Sequence, residues 1–357
     1  MAIEGPLVPR NVTTVLSLDD VRLAGRTVLY RVDVNSPLDP STGAFLDDSR
    51  LRSTLDTLSN LSDSKVVIMG HQSRPGKIDF TDMAGHSDRL SRLIGQQIQF
   101  VEDICGDEAI AAIEEMQPGE KVFINNVRMH PEEYGDNKVR AEDESTSEIV
   151  TRLSSVADVY VTDAFGAAHR NSPTLTGFTE EIPCIAGRLM NKEIRSLSLA
   201  VNDPPRPYVA ILGGAKCDDS LRVALNLIGR DVVDSIVMVG VVGNLMLWAD
   251  GHDIGKGNKE AIKAMMGDDF ELTWKMAEQL AKEHSELLFL PRDVAVEIDE
   301  KRHQVELDNL PTEYPMYDIG IKTLQDLRTL LNGANCILWN GPASYFEKPE
   351  FAFGTIE

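Results

Sequence analysis

No apolar run in this chain approaches the roughly 20 residues that a membrane helix needs. Its start, MAIEGPLVPRNVTTV, lacks the charged-then-apolar order of a secretion signal. A soluble protein of the cytoplasm is therefore expected. Cysteine is scarce: Cys105, Cys184, Cys217 and Cys336 are scattered without CxxC pairing, which argues against a disulfide framework or a zinc site. They read as small core residues. Positive charge is short as well, with 35 basic against 57 acidic residues and a net charge of −22. Nucleic acid and anionic lipid are repelled at long range, and any bound anion must be held by a local cluster. Aromatic residues make up only 6%, yet 42% of the 357 residues are apolar, enough for a full core and two domains. Walker A, GxGxxG and HExxH patterns are absent, as are internal repeats, so the standard NTPase and dinucleotide readings lose their best support.

What is present is alternation. Short β-rich runs at 27–34, 65–70, 121–126, 158–164, 208–214, 235–240, 286–291 and 335–341, with a weaker one at 98–103, are separated by helical stretches. That is the pattern of an α/β protein with parallel sheets covered by helices. Leu51, Leu55, Leu58 and Leu61 recur at helical spacing as one apolar stripe. Asp48 is placed to cap that helix, and the acidic stretch at 142–148 reads as a solvated helix start. A helical segment at 187–201 runs into NDPPRP at 202–207, where three prolines in six residues stop it. The first domain is placed at 1–180 and the second at 188–357, with this helix as connector.

In parallel α/β sheets, ligands bind beyond the carboxyl ends of the strands. Here the first strand is followed by Asp33 and Asn35, the second by His71 and Arg74, KVFINN by Arg128, and DVYVTDA by His169 and Arg170. Arg50 adds a further cation. A lone arginine or histidine after a strand is ordinarily a surface or structural residue. So many leaving one edge of an acidic protein imply a pocket that an anion neutralises, and arginine forks suit phosphate and carboxylate oxygens. In the second half, Gly213, Gly214, Ala215 and Lys216 end one strand, and Gly240 and Gly243 follow the next. Glycines there let backbone N–H groups approach a phosphate. WNGPASYFE, with Glu347, follows the last strand, so an adenine nucleotide across these strand ends is expected. A cationic pocket in one half and a nucleotide shelf in the other imply phosphoryl transfer, which depends on alignment and charge compensation. A dehydrogenase reading rests on the α/β pattern alone.

Eight segments, RVDVNSP, DDSRLR, GHQSRPG, NNVRMHPEE, DVYVTDAFGAAHR, VAILGGAK, DIGIKT and WNGPASYFE, resemble in order the signatures of the phosphoglycerate kinase family. GGAKCDDSLR and VGNLMLWADG resemble its archaeal branch. The resemblance implies two Rossmann-like parallel-sheet domains joined by a hinge helix that allows closure. The implied reaction is reversible transfer between 1,3-bisphosphoglycerate plus ADP and 3-phosphoglycerate plus ATP, with magnesium on the nucleotide. By motif match, Asp33, Asn35, Arg50, His71, Arg74, Arg128 and Arg170 would hold phosphoglycerate, Arg50 also stabilising the transition state. Lys216 would follow the transferring phosphoryl group, and Gly213, Gly214, Gly240, Asn340 and Glu347 would line the nucleotide side. Where many relatives carry a second lysine, four positions on, this chain has Ser220. The family's Asp- and Thr-bearing turn for phosphate and magnesium would fall past Glu357. That position motivates an alternative, a phosphoglycerate- and nucleotide-binding protein with impaired transfer.

Overall fold

A computed structural model describes residues 15–135, 139 and 141–357; residues 1–14, read above for a leader, lie outside them. The chain divides into two compact units, Met1–Ser196 and Leu197–Glu357.

In the first unit six strands, β1 (Thr27–Arg31), β2 (Lys65–Met69), β3 (Gln99–Val101), β4 (Lys121–Ile124), β5 (Val159–Thr162) and β6 (Cys184–Ala186), lie in the order β3-β4-β2-β1-β5-β6. Every pair is parallel. The central strands are mostly apolar because both faces are covered. Val28, Tyr30, Ile68 and Phe123 join Leu51, Leu58 and Leu90 in one buried cluster. Leu29, Val67, Met69 and Ile124 join Ile113, Ile149 and Leu153 in the other. The covering helices are α1 (Ser49–Arg52), α2 (Leu55–Asn60), α3 (Ala84–Ile94), α4 (Asp107–Glu115), α5 (Glu148–Ser154) and α6 (Pro173–Thr176).

Three local expectations change. The leucine stripe is buried at Leu51, Leu58 and Leu61, but it spans two short helices rather than one. At the break the Ser53 and Thr54 hydroxyls donate to the carbonyls of Arg50 and Leu51, at 2.7 and 2.8 Å, the back-bonding that competes with helix continuation. Asp48 makes no side-chain cap, since its carboxylate is taken by Arg52 and Arg89. In the acidic stretch, Glu144 is buried and accepts from the Thr176 hydroxyl, so that turn is not simply solvated.

Helix α7 (Arg188–Asn202) carries the chain across the division at Ser196. Its first turn is anchored in the first unit, where the Arg188 and Met190 N–H groups donate to Thr57 Oγ1 at 2.8 Å and Asp163 Oδ1 at 2.9 Å.

The second unit has two sheets. β7 (Tyr208–Leu212), β8 (Ser235–Met238), β9 (Leu288–Phe289) and β13 (Cys336–Asn340) form a parallel sheet in the order β13-β7-β8-β9. β10 (Asp293–Ile298), β11 (Lys301–Glu306) and β12 (Met316–Ile319) form an antiparallel sheet that the sequence pattern did not predict. The helices are α8 (Cys217–Gly229), α9 (Gly240–Ala249), α10 (Lys256–Met266), α11 (Phe270–Glu283), α12 (Ile321–Asn332) and α13 (Phe353–Ile356). Cys105 and Cys217 are core residues, whereas Cys184 and Cys336 are half-buried.

Candidate active site

The strands of the first sheet are parallel, so their carboxyl ends share one edge. The four whose exits carry polar groups, β4, β2, β1 and β5, are consecutive neighbours. Beyond them opens a cavity of about 1050 Å³, lined by Asn35, His71, Arg74, Arg128 and Arg170 among others. Five of the seven expected substrate residues thus meet in one place. His169 is exposed and is not among the lining residues.

The lining is organised around Ser73. Its N–H donates to Asn35 Oδ1 at 2.8 Å, its hydroxyl to Asp79 Oδ1 at 2.6 Å, and its carbonyl accepts from Arg128 Nη1 at 2.5 Å. These contacts hold a non-glycine residue at φ 56°, a left-handed conformation that persists only where surroundings impose it. Asn126, fully buried, ties the same loop down by donating to the carbonyls of Gln72 and Thr81 at 2.9 and 2.8 Å. The Arg128 guanidinium lies 4.9 Å from the centre of the Tyr134 ring.

Four charged lining residues escaped the sequence reading: Arg31, Lys77, Asp79 and Glu133. Arg31 is 1% exposed. It donates through Nε to Thr174 Oγ1 at 3.0 Å, through Nη1 to the Val32 carbonyl at 2.6 Å, and lies with Nη2 3.2 Å from His71 Nδ1. A guanidinium only donates, so His71 Nδ1 accepts and the ring proton sits on Nε2. Burial, reinforced by Arg31, Arg128, Arg170 and Arg50, pushes the His71 pKa down to about 2. This corrects the expectation of a cationic histidine: the positive charge belongs to arginines, and His71 is a neutral donor. A charged residue inside an apolar strand, as in TVLYR, was the available signal for Arg31.

Arg50 and Asp33 do not line this cavity. They form an ion pair beside it, Arg50 Nη1 on Asp33 Oδ2, and Asp33 Oδ1 also accepts from the Asn35 N–H at 3.4 Å. Gly166 fits against the pair, since a Cβ there would collide with Asp33 Oδ2.

In the second unit the strand-end glycines serve a different purpose from the one expected. The N–H groups of Gly213, Gly214 and Gly240 donate to the carbonyls of Asn340, Pro342 and Ala343, at 2.8, 2.8 and 3.1 Å. Gly214, Gly240 and Gly341 have φ of 80°, 61° and 81°. These residues stitch the ends of β7, β8 and β13 together, and the three N–H groups are spent within the protein rather than aimed at a phosphate. Ser220 is buried and its hydroxyl reaches the Gly213 carbonyl at 3.4 Å. Lys216, Asn340 and Glu347 are exposed. Helix α8 opens with Asp218 and Asp219, whereas α9 opens without an acidic residue. Among the described residues, no group of three or more His, Cys, Asp or Glu is placed to hold a metal ion.

Arginines gathered at the carboxyl edge of a parallel sheet define an α/β protein built to hold a small anion in one of its two units. A family model described as phosphoglycerate kinase matches residues 18–357. The phosphoglycerate kinase of Methanothermus fervidus is 41% identical over 343 residues, 95% of this chain and 82% of that protein. That of Methanocorpusculum labreanum is 39% identical over 341 residues, 96% and 83% of the two chains. A crystal structure of the Pyrococcus horikoshii enzyme is 34% identical with a TM-score of 0.84, covering 96% of this chain and 84% of that one. The chain belongs to the phosphoglycerate kinase family. It is a glycolytic kinase with a carboxyl group as acceptor, moving a phosphoryl group reversibly between 1,3-bisphosphoglycerate plus ADP and 3-phosphoglycerate plus ATP.

Proposed function

We propose a division of labour between the units. The cavity of the first unit holds 3-phosphoglycerate, with Arg74, Arg128 and Arg170 on its anionic groups and Asn35 and the His71 Nε2 proton as neutral donors. The ends of β7, β8 and β13 hold the adenine nucleotide, with Lys216 on the transferring phosphoryl group and Glu347 at the ribose hydroxyls. The single observation that carries this reading is the convergence of Asn35, His71, Arg74, Arg128 and Arg170 on one cavity. Guanidinium groups gathered so closely repel one another, and the cluster is costly unless an anion answers it.

The substrate carboxylate is already ionised and attacks the γ-phosphorus as the bond to ADP breaks, so no general base is required. Negative charge is then shared across the attacking and leaving oxygens, where a preorganised cation is worth most. Arg50 is the residue we assign to that place, with Asp33 holding it between turnovers. Magnesium would arrive on the nucleotide phosphates. We assign the protein to the cytoplasm and to small-molecule substrates, without nucleic acid.

Titration calorimetry tests the assignment. 3-Phosphoglycerate should bind the full chain, and Arg128→Ala should weaken it by at least about tenfold, the scale of a lost charge-assisted contact, with ATP binding unchanged. Equal losses for both ligands would refute the division. A coupled ATP assay on the same protein separates the kinase from a binding protein with impaired transfer.

A further inference from the structure

We propose that Glu133 is a positioning residue of the anion cavity: it holds Arg31 through Thr174, and Arg31 fixes the tautomer in which His71 offers its Nε2 proton. The proposal rests on the reading of that cavity as the phosphoglycerate site.

Glu133 lines the cavity yet is only 4% exposed. A carboxylate so deeply buried among arginines needs its oxygens satisfied. Oε1 accepts from the hydroxyls of Ser172 at 2.8 Å and Thr174 at 2.6 Å, and Oε2 from the Thr174 N–H at 2.9 Å. A threonine hydroxyl has one proton. Because Thr174 gives it to Glu133, a lone pair is left for the Arg31 Nε proton, 3.0 Å away. Arg31 is pinned a second time by the Val32 carbonyl, so its remaining Nη2 meets His71 Nδ1. The chain of hydrogen bonds is therefore directional from end to end: His71 accepts from Arg31, Arg31 donates to Thr174, and Thr174 donates to Glu133. With the carboxylate gone, the Thr174 hydroxyl can rotate toward another acceptor and the guanidinium loses a fixed partner. The His71 ring is then free to exchange tautomers.

Electrostatics alone gives the opposite forecast, which makes the proposal testable. Glu133 offsets positive charge in the cavity, so neutralising it should tighten anion binding by simple attraction. A positioning role requires binding to weaken instead. In steady-state assays of the full chain, Glu133→Gln and Thr174→Val should each raise KM for 3-phosphoglycerate about tenfold, one hydrogen-bonding contact's worth, with smaller changes in kcat and in KM for ATP. Thr174→Ser should restore the wild-type value. The double variant should be no worse than either single one, because both break the same chain. Imidazole ¹⁵N resonances of ligand-free protein should show His71 as the single Nε2–H tautomer, and as a mixture in both variants. A wild-type tautomer in the variants, a lower KM, or fully additive losses would overturn the proposal. A mixed tautomer with unchanged KM would instead remove the phosphoglycerate reading beneath it. Because the resonance measurement needs no substrate, the two failures are distinguishable.

Discussion

Arg50 shows how single residues divide between folding and function. It is half exposed and paired with Asp33, and such a pair contributes only about 0–1 kcal/mol to stability. Arg50→Ala should therefore leave the thermal midpoint nearly unchanged. If the side chain stabilises the transition state, kcat should fall about 10²- to 10³-fold, the cost of losing one preorganised donor. Paired melting curves and steady-state kinetics check this, and an unaltered kcat would remove Arg50 from the chemistry. The residues legible in advance, such as Arg74 and Arg128, leave strands in polar loops, where a charge stands out. Arg31 lies inside an apolar strand and passed as part of it. Glu133 was visible as a letter in NNVRMHPEE, but its partner Thr174 lies 41 residues further on, and no local pattern marks that contact. The neutrality of His71 was equally hidden, because it arises from burial and from arginines on distant segments of the chain.

At the scale of elements, the glycine stitch in the second unit makes the sharpest claim. Gly341 has φ 81°, and a Cβ there would collide with the Gly213 carbonyl oxygen. Gly25 has a similar φ of 75°, with nothing within 4 Å of a Cβ. Gly25→Ala should thus cost only the left-handed backbone penalty, about 1–2 kcal/mol. Gly341→Ala should cost that and the separation of two strand ends as well, lowering the urea midpoint clearly further. Equal midpoint shifts for the two variants would mean that the strand ends are not tightly joined. The parallel strands could be read from sequence because strands covered on both faces are continuous apolar runs. The antiparallel sheet could not. β11, KRHQVE, is largely exposed and looks like a polar loop, while β12 is only four residues long. Helices α1 and α2 looked like one helix because a leucine stripe reports the buried face and not the continuity of the backbone.

Across the whole molecule, the buried titratable groups give the two units opposite responses to acid. In the first unit, burial holds His71 at a pKa of about 2 and His86 at about 4, below the usual 6.5. Above pH 6.5 both are neutral folded or unfolded and cost nothing. As pH falls below 6.5 the unfolded chain takes up protons that the folded unit refuses, so stability is lost at up to about 1.4 kcal/mol per pH unit for each histidine. In the second unit, burial raises Asp318 to about 6 from 3.8. Between those values the folded state holds a proton that the unfolded chain does not, so stability is gained as pH falls. Ordinary carboxylates titrate lower, which leaves a window between about pH 6.5 and 4.5 where these three groups dominate. Hydrogen exchange at pH 7 and pH 5, corrected for intrinsic rates, should show protection in β1, β2 and β4 falling while that in β7 and β8 holds. His86→Gln should reduce the loss in the first unit. Unchanged protection in β1, β2 and β4 would mean that His71 and His86 are not held neutral by the fold, and the neutral donor assigned to His71 would have to be given up.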